Sequence, residues 1–154
     1  MARVVTYSDD LRPHFERLNR EWIESYFELE EADREVFRDP AAAIVAPGGQ
    51  IFFVLEGDAV VGTCALAPHG AGELELAKMA VDPSAQGRGY GDLLMGAAVD
   101  FARGMGARRI VLESNTLLGP ALRLYAKHGF REVPLDPDGR YARVDIMMEL
   151  RLDR

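Results

Sequence analysis

Three glycines, Gly87, Gly89 and Gly91, stand within five residues, directly before the apolar run DLLMGAAVDFA. Glycine weakens a helix, so the bare backbone must do something here that a side chain would prevent. The first N–H groups of a helix have no partner within it and lie at the positive end of its dipole, where anions bind. We therefore expect residues 87–92 to hold a phosphate group, with Arg88 adding positive charge. The alternative is a tight strand-to-helix turn without a ligand.

The sequence around these glycines excludes two common nucleotide sites. No Gly-Lys-Ser or Gly-Lys-Thr follows them, as a triphosphate-binding loop requires. The loop also does not follow the first strand, and no downstream acid is placed to bind a ribose as in dinucleotide folds. We expect no metal site, since His14, His69 and His128 are scattered and Cys64 is the only cysteine. We interpret Cys64 as a buried apolar residue.

The composition predicts one globular domain over residues 1–154. With 48% hydrophobic residues the chain can bury one core. No apolar stretch approaches the roughly 18 residues of a membrane span. The N-terminus turns charged without an apolar segment, so we expect no signal peptide, no membrane partner and a cytoplasmic location. The net charge of -7 argues against nucleic-acid binding and suits a cationic partner such as an amine.

The elements that position the loop follow from apolar periodicity, which predicts an α/β protein with mixed strands and helices. The predicted strands are residues 2–8, 50–56, 59–67, 71–83, 108–114, 130–135 and 141–150. The predicted helices are residues 11–26, 28–40, 92–102 and 119–129. The glycines thus lie between the fourth strand and the third helix.

The fourth predicted strand alternates regularly, which predicts two distinct faces. One face would carry Glu73, Glu75, Ala77 and Met79. The opposite face would carry Leu74, Leu76, Lys78 and Ala80. A regular strand would therefore place Glu75 on the same face as Met79.

Two motifs connect the loop to a known family. They are Val81-Asp82-Pro83-x-x-Gln86-x-x-Gly89-x-Gly91 and Leu124-Tyr125-x-Lys127-x-Gly129-Phe130. In this order, separated by one helix and one strand, they resemble the GNAT superfamily of acetyl-CoA-dependent N-acetyltransferases. The resemblance covers essentially the whole chain. It implies the GNAT fold: a mixed and mostly antiparallel central sheet of about seven strands, flanked by four helices, with splayed central strands.

The resemblance implies acetyl-CoA as cosubstrate. In this family the fourth strand carries a bulge, whose position Met79, Ala80 and Val81 occupy here, and it splays from the next strand. The pantetheine arm enters the resulting gap, a backbone N–H near Met79 binds the acetyl carbonyl, and the glycine loop holds the pyrophosphate. Many members have an asparagine where this chain has Leu118, so Asn115 either replaces it or caps the loop. The implied cofactor-binding residues are Met79, Ala80, Val81, Gln86, Gly87, Arg88, Gly89, Tyr90, Gly91, Asp92 and Asn115.

Three residues match the family's catalytic positions. Glu75 corresponds to the general base of some members, including histone acetyltransferases, and Glu113 to a second base position used by ribosomal-protein N-terminal acetyltransferases. Glu73 is a weaker third candidate, and each glutamate has the alternative of a solvent-facing strand residue. Tyr125 corresponds to the general acid that protonates the leaving thiolate, its alternative being a core aromatic.

The acceptor is expected across the gap, beside the first helices and the late hairpin. Its candidate residues are Trp22, Tyr26, Arg140, Tyr141 and Arg143. The two arginines could hold a carboxylate, so a small amine or an amino acid is the favoured acceptor. Transfer to a protein lysine or N-terminus, and a regulatory module that binds acetyl-CoA without turnover, remain alternatives. A homodimer is possible by analogy.

Overall fold

The computed structural model describes residues 1–152, so residues 153 and 154 of the predicted domain lie outside the described residues. The strands are β1 (Ala2–Thr6), β2 (Gln50–Glu56), β3 (Ala59–Pro68), β4 (Glu73–Val81), β5 (Arg109–Ser114), β6 (Arg131–Val133) and β7 (Ile146–Arg151). The helices are α1 (Arg12–Tyr26), α2 (Glu31–Arg38), α3 (Tyr90–Gly104) and α4 (Gly119–Lys127). Within residues 1–152, none of the helices has the length and apolar character that a membrane span needs.

The strands form one sheet in the order β1-β2-β3-β4-β5-β7-β6. Neighbours are antiparallel except β4 and β5, which run parallel and are joined through α3. A parallel pair needs such a crossover, and the turn from β4 into α3 is the glycine loop. This mixed, mostly antiparallel sheet with four main helices confirms the predicted fold class.

Apolar side chains cover both faces of the sheet. On one face Phe15 of α1 and Phe37 of α2 pack in a core with Phe53. On the other face Leu94 of α3 packs in a second core with Leu66. Burying each such side chain contributes roughly 1.5–3 kcal/mol, so the two cores hold the helices in place on either side of the sheet.

A β-bulge at Lys78 interrupts β4. Ala77 pairs with Ala65 and Ala80 pairs with Thr63, so β4 has one residue more than β3 between these two pairs. Lys78 has a φ of 55°, the left-handed conformation that few side chains adopt, and is the only such non-glycine residue in the described chain. Beyond the extra residue, each side chain of β4 therefore lies on the face opposite to the one that regular alternation predicts.

The bulge overturns part of the predicted alternation. Leu76, before the bulge, packs in the core beside α3, whereas Ala80, after it, packs in the core beside α1. Met79 packs beside α3, while Glu75 is paired with Ala67, whose side chain packs beside α1. The prediction that Glu75 shares a face with Met79 is therefore wrong.

A gap between β4 and β5 begins after Leu76, two residues before the bulge at Lys78. The two strands pair from Glu73 and Arg109 as far as Leu76 and Leu112, and no further. Beyond Leu112, β5 continues alongside β7, and β4 continues alongside β3. The splayed central strands implied by the family resemblance are present.

The last strand is shorter than predicted, since β7 begins at Ile146 rather than at residue 141. Residues 141–145 form a turn beside the end of β5. Thr116 donates to the carboxylate of Asp145 from its backbone N–H and its hydroxyl, both at 2.9 Å. These bonds hold the segment against the loop after β5, so it leaves the sheet and reaches the gap.

Candidate active site

A cavity of about 500 Å³ occupies the gap between β4 and β5. It extends from the glycine loop to α1 and the turn before β7. Apart from the weaker base candidate Glu73, all but two of the predicted site residues line it. Those that do are Glu75, Glu113, Tyr125, Met79, Ala80, Val81, Gln86, Gly87, Gly89, Tyr90, Gly91, Asp92, Asn115, Trp22, Tyr26, Tyr141 and Arg143. The exceptions are Arg88 and Arg140.

The glycine loop presents bare backbone to one end of the cavity. Gly87 and Gly89 both have a φ of 81°, which favours glycine, and a Cβ added at either would meet no atom within 4 Å. Helix α3 begins at Tyr90, so the N–H groups of Tyr90, Gly91 and Asp92 have no carbonyl from a preceding turn. This open cradle of N–H groups fits a phosphate or diphosphate.

The side chains of the loop are occupied outside this cradle. Arg88 donates through Nη1 to Glu56 at 2.9 Å, and the Tyr90 hydroxyl donates to the same carboxylate. Both bonds lower the pKa of Glu56, Tyr90 contributing more than Arg88. Asp92 pairs with His128 at 2.7 Å. No motif in the sequence pointed to Glu56, which anchors the loop to β2.

Two amide side chains fix the backbone around the cavity. Gln86 donates through Nε2 to the carbonyl of Val81 at 3.3 Å. Asn115 donates through Nδ2 to the carbonyl of Arg143 at 2.6 Å, and its Oδ1 accepts from the N–H of Leu117 at 2.8 Å. Asn115 thus caps its loop, the second of the two roles considered for it, while lining the cavity.

Glu75 and Glu113 lie on one face of neighbouring strands. Glu75 is paired with Val111, and Glu113 lies two residues further along β5 on the same face. Burial raises the pKa of Glu75 above 4.5 and the charge of Glu113 raises it further. Burial also raises the pKa of Glu113, with a contribution from Asp136. Neither carboxylate forms a hydrogen bond or ion pair within residues 1–152, so both can accept a proton.

Glu73, the third candidate, is placed differently. Its carboxylate accepts from Nε of Arg109 at 2.8 Å and lies 3.0 Å from Nδ1 of His69. The bonds from Arg109 and then His69 lower the pKa of Glu73. It does not line the cavity, and its bound carboxylate makes a poorer base than that of Glu75.

Tyr125 of α4 lines the cavity with its ring 6.0 Å from that of Phe130. Burial raises the pKa of Tyr125 to about 12, so its phenol keeps its proton at neutral pH. Cys64 is fully buried, and burial raises the pKa of its thiol. The interpretation of Cys64 as a buried apolar residue is confirmed, since a thiol in this state is a weak nucleophile.

The far end of the cavity is formed by α1 and the turn before β7. Trp22 and Tyr26 of α1 line it together with Tyr141 and Arg143, whose guanidinium carbon lies 5.9 Å from the centre of the Trp22 ring; Tyr26 is 58% exposed. Arg140 lies outside and forms an ion pair of 3.7 Å with a carboxylate of α2. Of the two arginines proposed to hold a carboxylate, only Arg143 reaches the cavity.

A cluster of charged and phenolic side chains, the Asp33 cluster, backs this end; its members are Asp33, Lys78, Tyr141 and Arg143. Asp33 is fully buried and accepts from Nζ of Lys78 and from both Nη atoms of Arg143, each at 2.7 Å. Lys78 also donates to the Tyr141 hydroxyl at 3.0 Å. The Asp33 carboxylate accepts from the N–H of Glu30 at 2.9 Å as well, which caps α2.

The electrostatics of this cluster are tightly balanced. Burial alone would raise the pKa of Asp33, but the hydrogen bonds from Arg143 and the charge of Lys78 hold it well below its ordinary value. Removing one member of such a buried set leaves the other charges without a partner, which lowers the stability of the fold by about 3 to 5 kcal/mol. The available sequence signals were the capping-box pair Glu30 and Asp33 and a lysine inside a buried strand.

The arrangement combines three chemical capacities in one space. The loop can bind phosphate groups, unpaired carboxylates of raised pKa can accept a proton, and a protonated phenol can donate one. Within the described residues no group of three or more His, Cys, Asp or Glu side chains is placed to hold a metal ion. The site therefore suits acyl transfer from a phosphate-containing donor to a protonated nucleophile.

Comparison with known sequences agrees with this chemistry. The model of the acetyltransferase (GNAT) family matches residues 12–130. An uncharacterised protein of Mycobacterium leprae is 45% identical over 65 residues, which are 42% of this chain and 17% of that protein. N-acetyltransferase 8B of Rattus norvegicus is 32% identical over 100 residues, 61% of this chain and 45% of that protein. The chain spans less than half the length of these curated relatives.

Solved structures share the fold along the whole chain. A GNAT-family acetyltransferase of Staphylococcus aureus superposes with a TM-score of 0.91 at 16% identity, covering 99% of this chain and 100% of that one. A protein of Salmonella typhimurium, solved with acetyl-CoA as its cofactor, gives 0.77 at 17% identity, covering 100% and 95%. Because the family model matches most of its length, the chain belongs to the acetyltransferase (GNAT) family, which confirms the predicted family and fold.

Proposed function

We propose that this chain transfers the acetyl group of acetyl-CoA to a primary amine by direct attack within one ternary complex. One observation carries the proposal: the glycine loop, Glu75, Glu113 and Tyr125 all open onto one continuous cavity. A donor held at the loop and an amine entering beside Trp22 would meet between them. Family membership supports acetyl-CoA as the donor.

The cosubstrate has a fitting cradle. The open N–H groups of residues 87–92 would hold its diphosphate, and the unpaired edge of β4 beyond Leu76 would pair with the pantetheine arm as an added strand would. A backbone N–H near Met79 would donate to the acetyl carbonyl. Negative charge grows on that oxygen during attack, so a fixed donor stabilises the transition state more than the ground state.

Protons must move in two places. A new bond forms between the amine nitrogen and the acetyl carbon, and the bond from that carbon to sulfur breaks. The nitrogen loses a proton to Glu75, whose raised pKa makes it a better base than an exposed glutamate. The sulfur leaves as a thiolate. It accepts a hydrogen bond from the Tyr125 phenol and then takes the proton of that phenol.

The test is release of the coenzyme A thiol from acetyl-CoA over a panel of primary amines. We expect amine-dependent release above background hydrolysis, and a loss of about 100-fold in Glu75→Gln. The control Glu73→Gln removes the same charge from the same strand outside the cavity and should retain activity. Binding of acetyl-CoA with no amine-dependent release would contradict the proposal and favour a regulatory module. Equal activity of Glu75→Gln and the wild type would exclude Glu75 as the base.

A further inference from the structure

We propose that the acceptor is an aliphatic amine that carries a second positive charge and no carboxylate. The inference rests on the proposed function and narrows its substrate. It follows from which charged groups of the cavity are already paired within the protein and which are not.

The cations at the acceptor end are fully engaged. The basic residues that line the cavity within the described chain are Lys78 and Arg143, and both are paired with Asp33 at 2.7 Å. Their side chains are 5% and 10% exposed. Arg143 also lies 3.5 Å from the Glu30 carboxylate, so Asp33 and Glu30 together balance the charges of Lys78 and Arg143, and a substrate carboxylate would have to compete with both. The cavity therefore has no uncompensated cation among the described residues to bind an amino acid's carboxylate.

The carboxylates are in the opposite situation. Glu75 and Glu113 line the cavity side by side on one sheet face and form no hydrogen bond or ion pair within residues 1–152. Arg140, Lys78 and His69 contribute positive potential at Glu75, but none contacts it. The reaction needs one base, so the second carboxylate is available to bind a second ammonium group.

The apolar walls of the same cavity suit a methylene chain. Tyr26 and Phe27 line the mouth with their rings 6.2 Å apart, and Trp22 lies deeper on the same helix. The Tyr141 ring is already covered by Lys78 at 4.4 Å and by Arg143 at 4.5 Å, so it adds no further cation site. An extended alkyl chain between two nitrogens fits this apolar path better than a branched polar group does.

Three amines with the same carbon chain test the inference. Cadaverine has two ammonium groups, pentylamine has one, and lysine has two ammonium groups and a carboxylate. We expect kcat/KM for coenzyme A release to be about ten-fold or more higher for cadaverine than for either of the others, since charges at a partly buried site interact strongly. Lysinamide, which lacks the carboxylate charge, should recover most of the difference.

Calorimetry on the protein saturated with coenzyme A separates this inference from the proposed function. Preferential binding of cadaverine with no acetylation of any amine would refute the proposed function and support only the preference of the cavity for a doubly charged amine. A cadaverine-to-pentylamine ratio near one, or lysine equal to cadaverine, would overturn the inference. So would the absence of cadaverine binding.

A variant locates the second charge. Glu113→Gln should lower the cadaverine-to-pentylamine ratio of kcat/KM by about ten-fold, because it removes the carboxylate that binds the second ammonium. The matched control, Glu132→Gln on the exposed strand β6, removes the same charge away from the cavity and should leave the ratio unchanged. An unchanged ratio in Glu113→Gln would contradict this part of the assignment.

Discussion

The two ends of the cavity are built from different material. At the loop end, Gly87 and Gly89 expose main-chain N–H groups to open space, and neighbouring side chains are bound to Glu56 and His128 behind it. At the end where we propose that the acceptor binds, the cavity is lined by side chains, with the Asp33 cluster paired and Glu75 unpaired. The shape of the loop end depends on the backbone conformation of a few residues, whereas the arrangement of the other end depends on the balance of charge among side chains.

This difference determines how each end responds to change. A backbone cradle is made by a few consecutive residues and fails only when a side chain enters it. A charge network joins residues 33, 78 and 143, which are up to 110 positions apart, and fails when any member is lost. We therefore expect substitutions at the acceptor end to affect stability, and substitutions at the loop end to affect binding of the cosubstrate.

The largest effect is expected from Asp33→Asn. Loss of this carboxylate leaves Lys78 and Arg143 buried without their partner, which should lower the free energy of unfolding by about 3 to 5 kcal/mol. Urea denaturation measures it, with the exposed Asp138→Asn as control. A loss no larger than that of the control would mean that the cluster contributes little to the fold.

The same pair of proteins should converge in acid. The pKa of Asp33 is lowered in the folded state, so its contribution is fully present above its ordinary pKa of 3.8 and is lost as the pH falls through the folded-state value. The stability difference between wild type and Asp33→Asn should therefore shrink below about pH 4. A constant difference across this range would argue against the ion pairs.

Tyr125→Phe should lower kcat by about 100-fold with little change in acetyl-CoA affinity, because the phenol acts on the departing sulfur and not on the ground state. Coenzyme A release at saturating acetyl-CoA measures the first quantity and calorimetry the second. A parallel fall in both would indicate that Tyr125 holds the arm of the cosubstrate instead.

The pH profile should report on Glu75. Its pKa is raised, so kcat/KM should fall about ten-fold per pH unit below a value that lies above 4.5, where the base becomes protonated. Glu75→Gln should lack this limb, while any limb from the amine itself remains in both proteins. An identical acid limb in the variant would assign it to another group, Glu113 first.

Gly89→Ala should weaken acetyl-CoA binding by about ten-fold, since a methyl group enters the phosphate cradle and the helix start is strained. Gly57→Ala is a matched control, because Gly57 also has a positive φ with open space around it but lies in the β2–β3 turn. Both variants should lose similar stability. Equal binding losses in the two would remove the loop from the cosubstrate site.

The smallest effect is expected from Arg88→Gln. Arg88 was predicted to add charge beside the phosphate, but its guanidinium is bound to Glu56 on the surface. We expect acetyl-CoA affinity to change by less than about three-fold, since exposed ion pairs contribute little. A loss of about ten-fold or more would show that Arg88 leaves Glu56 for the cosubstrate.

The sequence was informative where function is local. The glycine spacing and the Leu124-Tyr125 motif led to the loop and to Tyr125, and the apolar periodicity led to the succession of helices and strands along the chain. The family resemblance implied a bulge at Met79–Val81, but its place at Lys78 could not be predicted, because residues 73–80 alternate without a visible break and lysine has no preference for a positive φ. The pairing of Arg143 with Asp33 could not be predicted either, because it depends on how distant segments of the chain pack.

One structural feature constrains how this pocket can diversify. The Asp33 carboxylate starts α2, fixes the lysine of the bulge and holds the arginine of the acceptor wall. Drift toward new acceptors is therefore expected through compensated pairs of substitutions at these positions, whereas the exposed Tyr26 can vary alone. A directed-evolution library that randomises the rim first, and the buried charges only in neutral combinations, will retain the largest folded fraction.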